Sequence, residues 1–443
     1  MAMGDQGDPA VGRTALAKAS WRLLPLLGLG YGIAYMDRIN ISFAALQMNA
    51  DLGFSAAVYG LGGGLFFLGY ALCEVPSNLI LARVGARVWI ARIMLTWGLI
   101  AVGMMFVRTP VQFYAMRFLL GMAEAGFFPG VVFYLMGWFP SAERGRAISR
   151  FYVALPISIT VMGGLAGTLL GLRGHFGLAG WQWLFLVEGV PAIAMSVVIL
   201  LLLPNGPGDA AWLSAEEKAW IAQRLSADRA AVGSSGDPGV GRALVDPRVW
   251  LLGLCNMCIL ACAYAFNLSA PTILVAETHQ SAGGVGYVTA IAGLVAGAGM
   301  LLAGWISDRR GERHLLLVGF LTLAAVGYVI LASFHSPWSA IGAYALITIA
   351  TTAVQAVFWL VPSDVLHGRS AAAGVAAIGS IGMVGAFLGP WAWGVARDQT
   401  GAYQVGFLAL AVLSTVASGI LLLVRHRARA ASAAVALAQA APL

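Results

Sequence analysis

Charge is what this sequence has least of. Only 10% of its 443 residues are Asp, Glu, Lys or Arg, against roughly 25% in soluble domains, so a soluble globular chain is excluded. Cysteine is scarce too. The four, Cys73, Cys255, Cys258 and Cys262, all lie in apolar runs, and Cys255-x2-Cys258 has no histidine or polar loop around it, so neither a metal nor a redox pair is expected. Alternating polarity is missing as well. The apolar runs continue for twenty residues or more, whereas a membrane barrel needs strands of about ten residues with a period of two. No polar loop brings a nucleophile to a base, and none forms a phosphate loop or a metal cluster, so an enzyme is not expected. The first twenty residues lack the basic start and cleavage site of a signal peptide. The first helix is therefore expected to be kept.

What the chain does have is apolar length. It is 60% hydrophobic and carries 56 glycines, the composition of an all-α polytopic membrane protein whose helices approach closely in lipid. Twelve runs are long enough to span: 21–46, 56–82, 87–107, 110–137, 146–172, 182–204, 248–276, 284–307, 313–334, 337–366, 370–396 and 402–425. They imply a cytoplasmic segment 1–20, a six-helix bundle 21–204, a central cytoplasmic loop 205–247, a second six-helix bundle 248–425 and a tail 426–443. Within the central loop, Ser214-Ala215-Glu216-Glu217 has capping-box spacing, which predicts a short interfacial helix to about Ala227. Gly163-x3-Gly167-x3-Gly171 reads as a helix-contact stripe.

Of 26 Lys and Arg residues, 21 fall in loops on one side and three, Arg108, Arg173 and Arg397, on the other. That bias places both termini in the cytoplasm. It also explains the net charge of +7 without nucleic-acid binding, because the charges form no single patch. A repeat, R-x-G-x-R, recurs after the second helix (Arg83-Val84-Gly85-Ala86-Arg87) and after the eighth (Arg309-Arg310-Gly311-Glu312-Arg313). Two duplicated halves with a midplane binding site are the expectation.

The bias leaves Arg38 and Arg117 inside the membrane. Tyr35-Met36-Asp37-Arg38-Ile39-Asn40 lies in the later part of the first span, where each charge costs roughly 2.5–3.5 kcal/mol, so the pair is functional unless it has slipped into the headgroups. Arg117 and Glu124, seven residues apart, share one face of the fourth helix. Arginines present forked donors to a substrate carboxylate, and buried carboxylates hold or release protons. The alternative is a pair of ion bridges, Asp37 with Arg117 or Arg38 with Glu124, that only hold helices together. Glu74 and Glu188 read as structural acids.

Several segments resemble one transporter family. Tyr35–Asn40, Gly69-Tyr70 with Glu74-Val75-Pro76-Ser77-Asn78, Arg117-Phe118-Leu119-Leu120-Gly121-Met122-Ala123-Glu124-Ala125-Gly126, and Ala179-Gly180-Trp181-Gln182-Trp183 with Glu188-Gly189 are similar to the anion:cation symporter family of the major facilitator superfamily, in its tartrate and phthalate branch. The resemblance implies a secondary transporter of the bacterial cytoplasmic (inner) membrane that takes up a small organic carboxylate with protons by alternating access. It implies Arg38, Arg117 and Tyr70 as substrate-binding residues and Asp37 and Glu124 as proton-coupling residues. No cofactor beyond the proton and no metal are expected; the partners are the carboxylate, protons and the lipid bilayer, with no nucleic acid, and the chain is expected to be a monomer. The second half departs from the family. Gly379 and Met383 stand where relatives commonly have asparagines, which leaves Tyr264, Asn267, Trp359 and Ser380 as second-half candidates. The substrate is then a tartrate-like dicarboxylate, a sugar acid or an aromatic carboxylate; uncoupled uniport or export of aromatic compounds is the other transport mode.

Overall fold

The computed structural model describes residues 9–232, 245–310, 312–365 and 371–440, and every regular element among them is helical. In order they are α1 (Pro9–Leu52), α2 (Ala56–Val84), α3 (Ala86–Gly103), α4 (Pro110–Glu124), α5 (Phe127–Met136), α6 (Ser141–Tyr152), α7 (Ala154–Gly171), α8 (Gly180–Leu202), α9 (Ala215–Val232), α10 (Pro247–Thr278), α11 (Ala282–Arg310), α12 (Arg313–Ser333), α13 (Pro337–Phe358), α14 (Leu360–Val365), α15 (Ala371–Thr400) and α16 (Gln404–Ala440). Among the described residues, eleven segments are long and apolar enough to cross a membrane, and they coincide with the second to twelfth expected spans. The first lies within α1, whose 44 residues reach about 66 Å at 1.5 Å per residue, twice a hydrocarbon core of about 30 Å. Its amino-terminal turns therefore extend beyond the span.

Local chemistry sets the helix starts. Thr109, Asp246 and Ser336 each cap a helix by accepting a backbone N–H, and each is followed by proline at the first helical position, where the missing N–H costs nothing. In the first R-x-G-x-R turn, Gly85 has φ 98°, a conformation open to glycine; Gly311 of the second lies outside the described residues. The fourth span is broken, against the expectation of one helix over 110–137. α4 stops at Glu124, Gly126 takes φ 88° and α5 restarts at Phe127. A side chain at 126 would also collide with Ser77 Oγ, so the break needs glycine twice over.

The chain forms two compact units. One gathers the described parts of 1–40, 69–159 and 174–236, the other those of 41–68, 160–173 and 237–443. In the first, α3 and α8 cross at Gly98 and Gly189, each Cα lying where the other's carbonyl leaves no room for a Cβ. Also in the first, α9 is docked as the capping box predicts. Glu217 N–H bonds Ser214 Oγ at 3.2 Å, and Ser214 N–H bonds the Glu217 carboxylate at 2.8 Å. The helix runs one turn past Ala227, and 233–244 lie outside the described residues. It binds the start of α1 through Lys18 Nζ to Glu217 at 2.9 Å, and Trp220 packs against Gly12, where a Cβ would not fit. The Trp212 ring stacks on Trp138 at 5.5 Å.

In the second unit, close backbone approach at glycines joins the helices. A Cβ at Gly163 of α7 would sit 2.7 Å from the Gly286 carbonyl of α11, and one at Gly167 would meet Gly283; the stripe is a helix contact, as expected, although Gly171 opens onto free space. Gly60 and Gly64 of α2 meet the backbone of Pro390 and Phe387 in α15, and Gly394 meets Ala56. The Asp398 carboxylate caps α2, accepting Ala56 N–H at 3.0 Å and Ala57 N–H at 2.8 Å. The apolar core of this unit runs through Leu252, Cys255, Val357 and Leu421 and through Phe266, Tyr328 and Ile347, which gives Cys255, Cys258 and Cys262 the packing role read from the sequence; Cys73, in the first unit, is only half-buried.

Candidate functional site

The candidate residues on α1, α2 and α4 all fall in the first unit, and the structure brings them together. Arg38 directs Nε and Nη2 at Glu124 Oε1, both at 2.7 Å. Its guanidinium also lies 4.9 Å from the centre of the Tyr70 ring, so Tyr70 presents its aromatic face to the cation. Asp37, Arg117 and Glu124 are each 1% exposed, while the Arg38 side chain keeps 19%. Of these four, Arg38 is thus the one with an open side. The charges that face Asp37 include Glu124, Arg117, Arg38 and Glu188, and the Trp97 indole of α3 lies beside it. Of the two ion bridges weighed from the sequence, Arg38 with Glu124 is formed as a direct contact, while Asp37 and Arg117 face each other electrostatically. The half-buried Glu74 also faces Arg38.

The helix break explains how Glu124 gets there. It is the last residue of α4, and the turn at Ala125-Gly126 interrupts the span at this level. Broken helices near the midplane are how transporters expose polar backbone to a binding cavity without exposing it to lipid.

Two features of this cluster escape sequence reading. Asn40, one turn beyond Asp37, donates its Nδ2 to the Glu188 carboxylate of α8, and both are buried. Glu188, read from the sequence as a structural acid, is therefore an interior group that belongs to this cluster. The second feature is an aromatic cluster on α1, α5 and α6. Tyr31 packs on Phe151 at 4.9 Å, Phe128 at 5.4 Å and Tyr152 at 5.9 Å. The spacing of Tyr31, Tyr35 and Arg38, which puts all three on one helix face, is the available signal.

The second-half candidates lie in the other unit. Tyr264, half-buried on α10, packs on Phe67 of α2 at 4.0 Å. Asn267 is half-buried three residues on. Trp359 is 45% exposed, stands edge-on to Phe358 at 5.5 Å, and would lie 3.7 Å from a Cβ at Gly379. Ser380, next to Gly379 on α15, is exposed. Trp359 thus lies in contact range of Gly379.

The sequence model of the Major Facilitator Superfamily matches residues 27–390 and, in a second match, 249–442. The chain belongs to the major facilitator superfamily. Like other members it is a multi-pass transporter, and it is similar to proteins of the tartrate branch. It is 43% identical over 412 residues to a protein of Agrobacterium vitis named "Putative tartrate transporter", covering 93% of this chain and 94% of that one. It is 38% identical over 405 residues to the "Quinolone resistance transporter" of Acinetobacter baumannii, covering 90% and 92%. Among solved structures, a bacterial homolog of the human lysosomal transporter Spinster superposes with a TM-score of 0.74 at 20% identity, covering 91% of this chain and 96% of that one. That likeness confirms the superfamily fold.

Proposed function

We propose that this protein is a proton-coupled importer of a small organic anion working by alternating access, with Arg38 as the substrate clamp. The observation that carries the reading is the forked contact of Arg38 to Glu124 in a buried setting. A carboxylate held on two guanidinium nitrogens occupies the place a substrate carboxylate would take. Protonation of Glu124 removes the competing charge and releases Arg38 to the substrate, so proton and anion bind together. Arg117, facing both Asp37 and Glu124, adds a second cation that offsets these carboxylates when an anion enters. The relative named for tartrate supports a carboxylate substrate. The basic-residue bias supports the bacterial cytoplasmic (inner) membrane with both termini inside, and nothing in the reading requires more than a monomer.

The test is uptake by the full chain in proteoliposomes, using labelled tartrate, phthalate and galactonate in turn. An inward proton gradient should drive accumulation of at least one, with acidification of the lumen. Accumulation that ignores the gradient would remove proton coupling. The relative named for quinolone resistance favours a second reading, export of aromatic compounds. It predicts that gradient-driven flux runs opposite to the proton and includes uncharged aromatic compounds.

A further inference from the structure

The interior of the first unit holds more acid than base. Asp37, Glu124 and Glu188 are buried there, against Arg38 and Arg117, and the half-buried Glu74 adds a fourth carboxylate facing Arg38. Arg38 is engaged by Glu124, and Arg117 faces Asp37 and Glu124. The polar groups that face Glu188 are Asn40, which donates to it, and Asp37, another acid. On the α3 side the next residue, Gly189, sits in the tight crossing with Gly98, where the neighbours of a Cβ would be backbone and the apolar side chains of Val102 and Ile193. An ionised carboxylate buried without a cation costs several kcal/mol.

The hydrogen bonds point the same way. Asn40 Oδ1 and Glu188 Oε1 are both buried, and neither has a hydrogen-bond partner among the described residues. If Glu188 is ionised, both atoms are acceptors and neither can satisfy the other. Each orphan then costs about 1–3 kcal/mol. One proton on Glu188 converts an acceptor into a donor, and a carboxylic acid beside a primary amide closes a ring of two hydrogen bonds. A single added proton thus removes the unpaired charge on Glu188 and gives both orphaned oxygens a partner.

We propose that Glu188 is a proton-holding site, locked to Asn40 as a neutral acid–amide pair, and that it gives up and regains this proton during the transport cycle. The second half of the proposal rests on the proton-coupled reading above. Asp37 shares a face of α1 with Asn40, three residues away, so its charge acts directly on the pair. Negative charges on Asp37 and Glu188 repel, and the two acids therefore release protons one at a time. Glu188 adds a proton-carrying group to Asp37 and Glu124, and so sets how many protons accompany each substrate.

Infrared difference spectroscopy of the full chain in lipid tests the first half without any substrate. Wild type at neutral pH should show the carbonyl band of a buried protonated carboxylic acid, sensitive to deuterium exchange, and Glu188→Gln should lose it. Asn40→Leu should keep the band but move it to higher frequency, because the amide no longer holds the acid. A wild-type minus Glu188→Gln spectrum without this band overturns the proposal. If Glu188→Gln does not fold, Asn40→Leu decides, and a band it leaves unmoved overturns the pair. For the second half, protons moved per substrate are measured from reversal gradients, using whichever of tartrate, phthalate and galactonate wild type accumulates. Glu188→Gln should lower the ratio by one, and Glu188→Asp should restore it. An unchanged ratio overturns the release. A wild type that moves no protons refutes the coupled reading and the release with it, while the infrared result still stands or falls separately.

Discussion

Replacing Glu124 by glutamine keeps the side-chain volume and an acceptor oxygen but removes the charge that holds Arg38. Arg38 gives up two contacts of 2.7 Å to a single carboxylate oxygen. A charge-assisted hydrogen bond is worth about 1.5–3 kcal/mol, and each 1.4 kcal/mol is a factor of ten. In wild type an incoming anion must displace this contact when Glu124 is ionised and need not when it is protonated. Anion affinity should therefore fall by about 10- to 100-fold as pH is raised through the range in which Glu124 ionises. In Glu124→Gln the affinity should stay high at all pH values, while gradient-driven accumulation is weakened because the proton held by Glu124 no longer accompanies the anion. Equilibrium binding of the labelled anion at pH 5.5 and 8.5, on detergent-purified protein, measures both. If wild type and variant show the same pH dependence, Glu124 is not what competes for Arg38.

Other expectations test the supports of the site. Gly126→Ala should cost at least about 1 kcal/mol from the left-handed backbone alone, more with Ser77 in the way, and should shift Glu124; thermal unfolding and substrate affinity should both suffer, and a variant of wild-type stability would show that the break tolerates a side chain. Asp398→Ala removes the cap on two α2 N–H groups and should destabilise by about 0.5–2 kcal/mol, with Asp398→Asn in between, read by hydrogen exchange at Ala56 and Ala57. Gly163→Val should force α7 off α11 and abolish transport in correctly inserted protein, whereas Gly171→Val, facing open space, should be tolerated. The docking of α9 depends on acid pH. The hydrogen bond from Lys18, with help from Ser214, holds Glu217 below the ordinary carboxylate range. Its contribution is complete above about pH 4.3, the unfolded value, and is lost as pH falls through the lower folded value. Proteolysis at Lys218 and Arg224 should be slow at neutral pH and rise only in acid; equal rates at both would remove the Glu217 clamp.

How far the sequence carried the site can be followed residue by residue. Arg38 and Arg117 were exposed as interior by elimination, since every other cation had a loop to sit in, and Glu124 by its seven-residue spacing from Arg117. Both are counting arguments that need no coordinates. Glu188 stayed hidden because its chain position, 64 residues beyond Glu124, carries no periodic link to Asn40; only packing of α8 against the first unit makes them neighbours. The broken fourth span was hidden too, because Pro110–Met136 has a mean hydropathy of 1.6, the same as the unbroken Ala56–Val84. Glycine there permits a left-handed turn without announcing one.

By itself, then, the sequence determined the membrane class, the apolar spans and the two interior arginines. These follow from the free energy of moving residues between water and hydrocarbon, which is nearly additive along the chain. Tertiary structure alone decided that Arg38 pairs with Glu124 and Glu188 with Asn40, and that Trp359 lies in contact range of Gly379. Pairing energies inside a protein depend on distance and on which groups are shut away from water together, and neither is written in linear order.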